Sequence, residues 1–362
     1  MTTYDRFNRI QDAIDNWLQP DNIQLKTAID RTVEEGLFSF PDIKHQVLTL
    51  KKSLNADSLR LWSDRNNLKA GSMNGYKVLC LHAGNLPLAG IQDVLASAIT
   101  GIQYFGKISR KDPYLLPTFI RELENTAGLK GFNWSTNVND LKGTDADAVL
   151  FSGSSRSVDD VYRLIRKLKL AKHHAEYLIR TAHFSVAYLD RTDSKTMHDL
   201  VEAVFRYGGR GCRSVAAVIT PFSLDSIKCE LTDYIESFWL HNPQHLKPKP
   251  ALHYRFAYNK AVGHPQSWLE DFLIEQTDVK PEQDFVLHWV HGGENQLIEY
   301  AQKNQTGLQA VYSVEGKTYT ENFRIQTEKL EDAQAPPIYW KPDGVDTLEW
   351  LNEKYHRSQS IS

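Results

Sequence analysis

The chain has 362 residues, 41% of them hydrophobic and 24% charged, which is typical of a folded protein and excludes wholesale disorder. Its net charge of −3 excludes the basic excess of a general nucleic-acid-binding protein, so no nucleic-acid partner is expected. Three cysteines are too few for a disulfide framework and favour a reducing, cytoplasmic compartment. The sequence shows no signal peptide and no apolar run of membrane-spanning length.

The first half of the chain reads as a helical segment followed by alternating strands and helices. Residues 1–70 are predicted to form an N-terminal helical arm, because Phe7, Ile10, Ile14 and Trp17 recur at helical spacing. Strand candidates then follow at 76–82, 102–107, 146–151 and 184–189, separated by helix candidates at 91–99, 114–125 and 158–170. This alternation predicts a parallel sheet with helices on both faces, whose ligand lies beyond the carboxyl ends of the strands.

A second α/β unit is predicted from Lys195 onwards. It has a helix candidate at 197–207, a glycine-rich turn at 208–213 and strand candidates at 215–220, 285–290 and 308–312. The stretch from His241 to His253 contains three prolines and is predicted to be a loop or linker.

Cys212 is the most informative single residue. It ends a glycine-rich turn and has Arg206, Arg210 and Arg213 close in sequence. Glycine-rich turns present backbone N–H groups, and nearby cations favour the thiolate, so both effects make a nucleophile. A small buried cysteine in a tight turn would explain the same residues, and the residues alone leave both interpretations open.

The other two cysteines and the histidine pairs carry less information. Cys80, in an apolar strand, and Cys229, in a helix, are predicted to be packing residues. Metal binding is not predicted, because Cys80-Leu-His82 and His173-His174 have no partner motif.

Four short segments, taken in order, resemble motifs of the aldehyde dehydrogenase superfamily. They are the loop Ala83–Pro87, the segment Gly106–Ser109, the segment Phe151–Ser154 and the turn that ends at Cys212. The Gly-Asn-Leu-Pro loop and Trp340–Gly344 look most like the LuxC-type acyl-CoA reductases of that superfamily.

The resemblance implies an aldehyde dehydrogenase-like α/β fold in four parts. Residues 1–70 would be the helical arm, 71–193 a Rossmann-type cofactor domain with a parallel sheet, and 194–330 a second α/β catalytic domain that carries Cys212. Residues 331–362 would return to the cofactor domain, and residues 253–284 are expected to shape an acyl pocket unless their aromatics are simple core.

The resemblance also implies a reaction. Cys212 would take the acyl group from an acyl-CoA or acyl-protein thioester, and the Asn85 amide would stabilise the oxyanion. The superfamily's general-base glutamate has no clear match near residues 177–183, and Glu176 close by is not assigned to that role. The absence of that base favours reduction of an acyl thioester to an aldehyde over its hydrolysis.

The cofactor implied is a nicotinamide nucleotide. Lys107 and Ser109 would contact its adenosine ribose, and Gly153 and Ser154 its pyrophosphate. Where NAD-dependent relatives have an acidic partner for the ribose, this chain has Arg110 and the next lysine, which predicts NADPH over NADH. A solvated basic pair is the alternative for these two cations.

Two other functions stay open at the level of the sequence. One is a non-catalytic scaffold or substrate-presenting member of a biosynthetic complex, and the other is an aldehyde-oxidising dehydrogenase. The sequence is compatible with a homo-oligomer and with a partner acyl-transfer enzyme.

Overall fold

The chain alternates helices and strands along most of its length in this computed structural model, which describes residues 3–66, 68, 72–181, 183–243, 247–281, 284–319 and 325–360. The helices are α1 (Thr3–Trp17), α2 (Ile23–Glu34), α3 (Phe40–Ser53), α4 (Ala56–Arg65), α5 (Ile91–Thr100), α6 (Leu115–Asn125), α7 (Val158–Leu168), α8 (Ser194–Phe205), α9 (Leu224–His241), α10 (Pro250–Ala261), α11 (Glu294–Asn304) and α12 (Thr347–Gln359). The strands are β1 (Lys77–Leu81), β2 (Gln103–Lys107), β3 (Phe132–Ser135), β4 (Ala146–Gly153), β5 (Ala171–Thr181), β6 (Phe184–Tyr188), β7 (Val215–Thr220), β8 (Gln266–Leu269), β9 (Phe272–Gln276), β10 (Val286–His291), β11 (Leu308–Ser313), β12 (Thr318–Tyr319), β13 (Ile325–Gln326) and β14 (Glu328–Lys329).

The first sheet has five strands in the order β3-β2-β1-β4-β5, all parallel. Its central strands β1 and β4 are almost wholly buried, as expected where helices cover both faces. Leu81, which ends β1, lies beside Lys107 of β2 and Phe151 of β4. The strand order reverses between β1 and β4, and in open α/β sheets the carboxyl ends at such a reversal form the ligand crevice.

One predicted strand lies in a different sheet. The segment 184–189, expected as a strand of the first sheet, forms β6, which pairs with β7 and β11 of the second sheet. Its place beside β4 is taken by β5, which the sequence pattern did not predict. An edge strand such as β5 is only half buried, so it lacks the continuous apolar run by which β6 was recognised.

The helices before residue 66 pack directly against the first sheet. Ile10 and Trp17 belong to the same hydrophobic core as Val78 of β1. The Trp17 indole N–H donates a hydrogen bond to Thr118 of α6 at 3.0 Å. The predicted helical segment is therefore a cap on this core.

The end of the chain contributes to the same core. Trp62 of α4 donates to the Asp346 carboxylate at 2.9 Å, and Asp346 also caps α12. Leu348 and Leu351 of α12 are fully buried in this core. Helix α12 is thus an integral part of the packing around the first sheet.

The second sheet has seven strands in the order β14-β11-β6-β7-β10-β9-β8, of which only the β8–β9 pair is antiparallel. Contacts divide the chain into one compact unit of Met1–Ala182 with Pro337–Ser362 and another of His183–Pro336. Assigning these units to cofactor binding and catalysis stays a prediction. Among the described residues, no helix combines the length and the apolarity needed to span a membrane.

Candidate functional site

The loop that carries Asn85 connects β1 to α5 along the carboxyl edge of the first sheet. Asn85 itself is exposed. Leu88, further along the loop, has a left-handed backbone with φ of 61°, and its N–H donates to the Asp112 carboxylate at 2.7 Å. Asp112 also accepts from the Leu115 N–H at 3.3 Å, at the start of α6. Burial raises the pKa of Asp112 to about 6, against the two hydrogen bonds that lower it.

Beneath this loop lies a chain of buried polar groups. The Nε2 atom of His82 lies 2.6 Å from the Tyr104 hydroxyl, and its Nδ1 lies 3.8 Å from the Asp93 carboxylate. Arg180 donates to Asp93 at 3.0 Å and to the Thr347 hydroxyl at 2.7 Å. Burial lowers the pKa of His82, which favours the neutral ring. The network thereby joins the end of β1 to the first turn of α5. It thus connects the two ends of the loop that carries Asn85.

Two glycines allow this loop to pack closely. A Cβ atom at Gly90 would lie less than 3.0 Å from the His82 ring, and one at Gly84 would lie equally close to the Ser109 side chain. The loop after β1 and the loop after β2 therefore touch, with Ser109 at the contact.

Lys107 ends β2 at the same edge. Its side chain is half-buried, and both burial and the charge of Arg110 lower the pKa of its ammonium group. Ser109 accepts a hydrogen bond from the Lys111 N–H at 3.2 Å, which turns the chain after the strand. Arg110 is exposed.

The third strand end at this edge is that of β4. Gly153 ends the strand, and the exposed Ser154 hydroxyl lies 2.7 Å from the Ser157 hydroxyl. A short 3-10 turn, Ser155–Ser157, separates Ser154 from α7. The first turn of α7 carries Asp159 and Asp160. Those carboxylates already interact favourably with the helix dipole. The groups of this segment that could bind an anion are therefore the Ser154 hydroxyl and the backbone N–H groups before the helix.

The structure thus brings the predicted cofactor-binding residues to one edge of the first sheet, beside the Asn85 loop. Cys212 lies in the other unit, immediately before β7. Sequence reasoning missed Asp112 and the Asp93–Arg180 pair, since neighbours in sequence do not reveal such partners. It did place His82 at a strand end.

The turn before Cys212 has an unusual backbone. Tyr207, Gly208 and Gly209 are consecutive left-handed residues with φ of 59°, 65° and 71°. Left-handed backbone suits glycine and strains tyrosine. Cys212 follows, half-buried, and its carbonyl accepts a hydrogen bond from Ser185 of β6 at 2.8 Å.

Arg213 holds the other side of this turn. Its buried guanidinium donates to the carbonyls of Ala333 at 2.7 Å and Asp332 at 2.9 Å, and it pairs with Glu328 at 3.0 Å. Arg206 forms an ion pair with Glu202. These two cations therefore have fixed partners in the turn's surroundings.

The remaining cysteines differ from each other. Cys80 is fully buried in β1, as predicted, and burial together with Asp93 raises its thiol pKa. Cys229 is exposed, so the prediction that it packs in a core is wrong. Helix α9 buries Leu224, Ile227, Leu231 and Ile235 at helical spacing, which turns residue 229 towards solvent.

Glu176 lies in β5 and is engaged by the last helix. It pairs with Lys354 at 3.9 Å and with Arg357 at 3.4 Å. This carboxylate has a structural explanation in the packing of α12 on the sheet edge.

Comparison with known proteins rests on structure alone. No protein-family model matches the chain, and no curated protein matches its sequence. Among solved structures, a lactaldehyde dehydrogenase aligns over 91% of this chain and 78% of its own, with a TM-score of 0.63 and 12% identity. The NADP-dependent glyceraldehyde-3-phosphate dehydrogenase of Bacillus halodurans C-125, solved with NADP, covers 86% of this chain and 74% of its own, with a TM-score of 0.58 and 15% identity.

Aldehyde dehydrogenase 21 of Physcomitrella patens, in complex with succinate, covers 86% of this chain and 73% of its own, with a TM-score of 0.57 and 11% identity. At identities this low, the structural alignments establish the architecture, and the activity has to be argued from the site. The chain has the aldehyde dehydrogenase-like α/β fold that the sequence motifs predicted.

Proposed function

We propose that this protein uses NADPH to reduce an acyl thioester, such as an acyl-CoA, to an aldehyde through a covalent thioester on Cys212. The observation that carries the proposal is the setting of Cys212. A half-buried thiol stands before β7 on a turn fixed by Ser185 and Arg213, in a fold shared with aldehyde dehydrogenases.

The chain's own groups account for acyl transfer. The Cys212 thiolate attacks the thioester carbonyl and forms a new carbon–sulfur bond. The carbon–sulfur bond to CoA or to a carrier then breaks, and the released thiolate takes up a proton. The resemblance assigns the oxyanion to the Cys212 backbone N–H and to the Asn85 amide, where one donor is worth about 10²–10³ in rate.

Reduction completes the reaction. When bound, NADPH supplies a hydride, which carries the two electrons that convert the acyl group to an aldehyde. The Cys212 sulfur is the leaving group as its bond to the substrate carbon breaks, and it takes up a proton to restore the thiol.

The first sheet has groups that fit such a cofactor. Lys107 ends β2, one strand from the strand-order reversal between β1 and β4, and Arg110 follows it. The exposed Ser154 follows the end of β4. Lys107 and Ser109 would hold the ribose with Arg110 at a 2′-phosphate, and Gly153 with Ser154 would hold the pyrophosphate. The NADP in the Bacillus halodurans structure supports this choice.

Aldehyde oxidation is the main competing reaction, and the relatives named as dehydrogenases favour it. It needs a base that activates water on the thioester. Glu176, the carboxylate near the expected motif, is paired with Lys354 and Arg357. This pairing gives Glu176 a structural role and argues against it as that base.

The decisive assay mixes the protein with NADPH and a panel of acyl-CoAs and follows the cofactor absorbance. We expect acyl-CoA-dependent oxidation of NADPH, an acyl adduct on Cys212 by mass spectrometry, and loss of both in Cys212→Ala. The matched control is Cys229→Ala, an exposed thiol in the same unit that should be dispensable. Undiminished turnover in Cys212→Ala would refute the role of this thiol.

Other outcomes identify the alternatives. Accumulation of acid from an aldehyde and NADP⁺, without reduction of any acyl-CoA, would favour an oxidising dehydrogenase. No adduct and no nicotinamide binding would favour a non-catalytic scaffold.

The cofactor assignment has its own test. Arg110→Gln should raise the KM for NADPH about 10–100-fold, the range of one lost hydrogen bond to a charged group, with little change for NADH. Lys142→Gln, which removes another exposed cation of the same unit, is the control. Equal losses with both cofactors would contradict a contact to the 2′-phosphate.

A further inference from the structure

Helix α10 exposes aromatic side chains on its outer side, while its inner side combines the buried Leu252 with polar groups. Its inner side holds Arg255 and Asn259, both hydrogen-bonded to the buried Glu275 of β9. Its outer side presents Tyr254, which is 75% exposed, and Tyr258, which is 67% exposed. A surface helix normally exposes polar or charged side chains on its outer side.

The apolar outer face continues along the helix. Residues 254, 258 and 262 follow at four-residue spacing, and the exposed Ala257 and Ala261 lie between them. We call this set the outer face of α10. Val262, just past the helix end, is 59% exposed, and Leu240, near the end of α9, is 80% exposed.

The stretch of sequence that contains α10 has no acidic residue of its own. From Ser237 to Leu269 the sequence contains no Asp or Glu, although acids make up 45 of the 362 residues. The same stretch carries four Lys and Arg residues and four histidines: Lys247, Lys249, Arg255, Lys260, His241, His245, His253 and His264. Two of these cations pair with acids from outside the stretch, Lys247 with Asp271 and Arg255 with Glu275, so the charge argument rests on Lys249 and Lys260. Lys249 immediately precedes α10, and Lys260 lies in its last turn, so exposed cations flank the outer face at both ends.

We propose that the outer face of α10 docks on an anionic phospholipid surface. Exposed apolar side chains between flanking lysines are the pattern of a helix lying in a membrane interface, and each lysine near an anionic leaflet strengthens binding. The two tyrosines place a ring at the apolar boundary and a hydroxyl among the headgroups. A second copy of this chain is a poorer occupant, because it would bring like-charged lysine rims together.

The helix is held rigidly enough to present this face. Leu252 is buried in the core of the second unit, and the His253 ring lies 4.5 Å from that of Trp268. The Phe256 carbonyl accepts a hydrogen bond from Gln266 of β8 at 2.7 Å. Substitutions on the outer face therefore leave these anchors in place.

The test is co-sedimentation of the full chain with vesicles of phosphatidylcholine alone or with phosphatidylglycerol added. We expect binding to the anionic vesicles, none to the neutral ones, and a loss of binding as salt is raised. The double variant Tyr254→Ser with Tyr258→Ser should abolish binding. Lys260→Gln should weaken the partition coefficient about fivefold.

Matched controls lie in the other unit. Ile23→Ser removes a side chain that is 78% exposed, and Lys51→Gln removes an exposed cation, so neither should alter vesicle binding. Circular dichroism and thermal unfolding check that each variant stays folded. Because turnover is not the readout, this result is independent of the proposed reaction.

Three outcomes would overturn the proposal. They are equal binding to neutral and anionic vesicles, no binding to either, and full binding by the tyrosine double variant. Retention on a polyglutamate resin through Lys249 and Lys260, without vesicle binding, would show that the face fits an acidic protein and would also overturn the lipid assignment.

Discussion

Asp112 shows how a single buried carboxyl fixes the loop that carries Asn85. It accepts hydrogen bonds from Leu88 and Leu115, and so holds the end of the Asn85 loop against the start of α6. The arrangement costs stability when the group ionises, because burial raises its pKa from the ordinary 3.8 to about 6.

The pH dependence follows with a definite sign. The native state binds the Asp112 proton more tightly than the unfolded state does, so this contribution is fully present below pH 3.8 and is lost as pH rises through about 6. Relative to Asp112→Asn, we expect the wild-type free energy of unfolding to fall by about 3 kcal/mol over this range. Urea unfolding of both proteins from about pH 3 to pH 8 measures it.

The exposed Asp159 provides the control, since Asp159→Asn should give no comparable fall. A difference between wild type and Asp112→Asn that is flat, or that rises with pH, would contradict the assignment.

At the scale of elements, the packing of α5 on the loop before it depends on a missing side chain. Gly90 precedes α5 and faces the His82 ring, which is fixed by Tyr104. We expect Gly90→Ala to lower the free energy of unfolding by about 1–3 kcal/mol, the usual cost of overpacking. Chemical denaturation measures the change.

The structure offers a matched comparison for this variant. Gly293 also precedes a helix, α11, but a Cβ atom there meets nothing within 4 Å. Gly293→Ala should therefore cost clearly less. If the His82 contact is the cause, the Gly90→Ala penalty should shrink in a His82→Ala background, and an unchanged penalty would exclude that cause.

Elements differed in how far the sequence could predict them. The runs of β1 and β4 were recognisable because buried parallel strands are continuously apolar. The apolar run of β6 was equally clear, but no local sequence pattern indicates which of the two sheets a strand will join. Helix α10 was missed in part because Pro248 and Pro250 suggest a loop, whereas proline is well tolerated in the first turn of a helix.

The residues of the candidate site also differ in how far the sequence could predict them. Strand ends could be predicted from the alternation: Lys107 ends both the predicted strand and β2, whereas β4 continues two residues past the predicted end, to Gly153. Their role in cofactor binding stays a prediction. The partners that hold the site could not be predicted, because Asp93 and Arg180, or Arg213 and Ala333, are far apart in sequence and meet only in the fold.

At the scale of the whole molecule, the three cysteines report on three levels of burial. Cys229 is exposed, Cys212 is half-buried and Cys80 is fully buried. A thiol reagent should label Cys229 and Cys212 in the native protein. Cys80 should react only on global unfolding, more than about 10³-fold slower than in denaturant.

Mass spectrometry of the labelled peptides identifies each site. Cys229→Ser should lower the native label count by one and leave the count after denaturation at two. Rapid native labelling of Cys80 would contradict the placement of β1 at the centre of the sheet.

The first unit is discontinuous, and this has a consequence for biosynthesis. Trp62 needs Asp346, Gln92 donates to the carbonyls of Ile338 and Trp340, and Arg180 donates to Thr347. A ribosome delivers those partners only after it has made the entire inserted unit, His183–Pro336. The inserted unit can therefore complete its contacts before α12 has been synthesised. The first unit, although its synthesis begins earlier, is expected to complete its folding last.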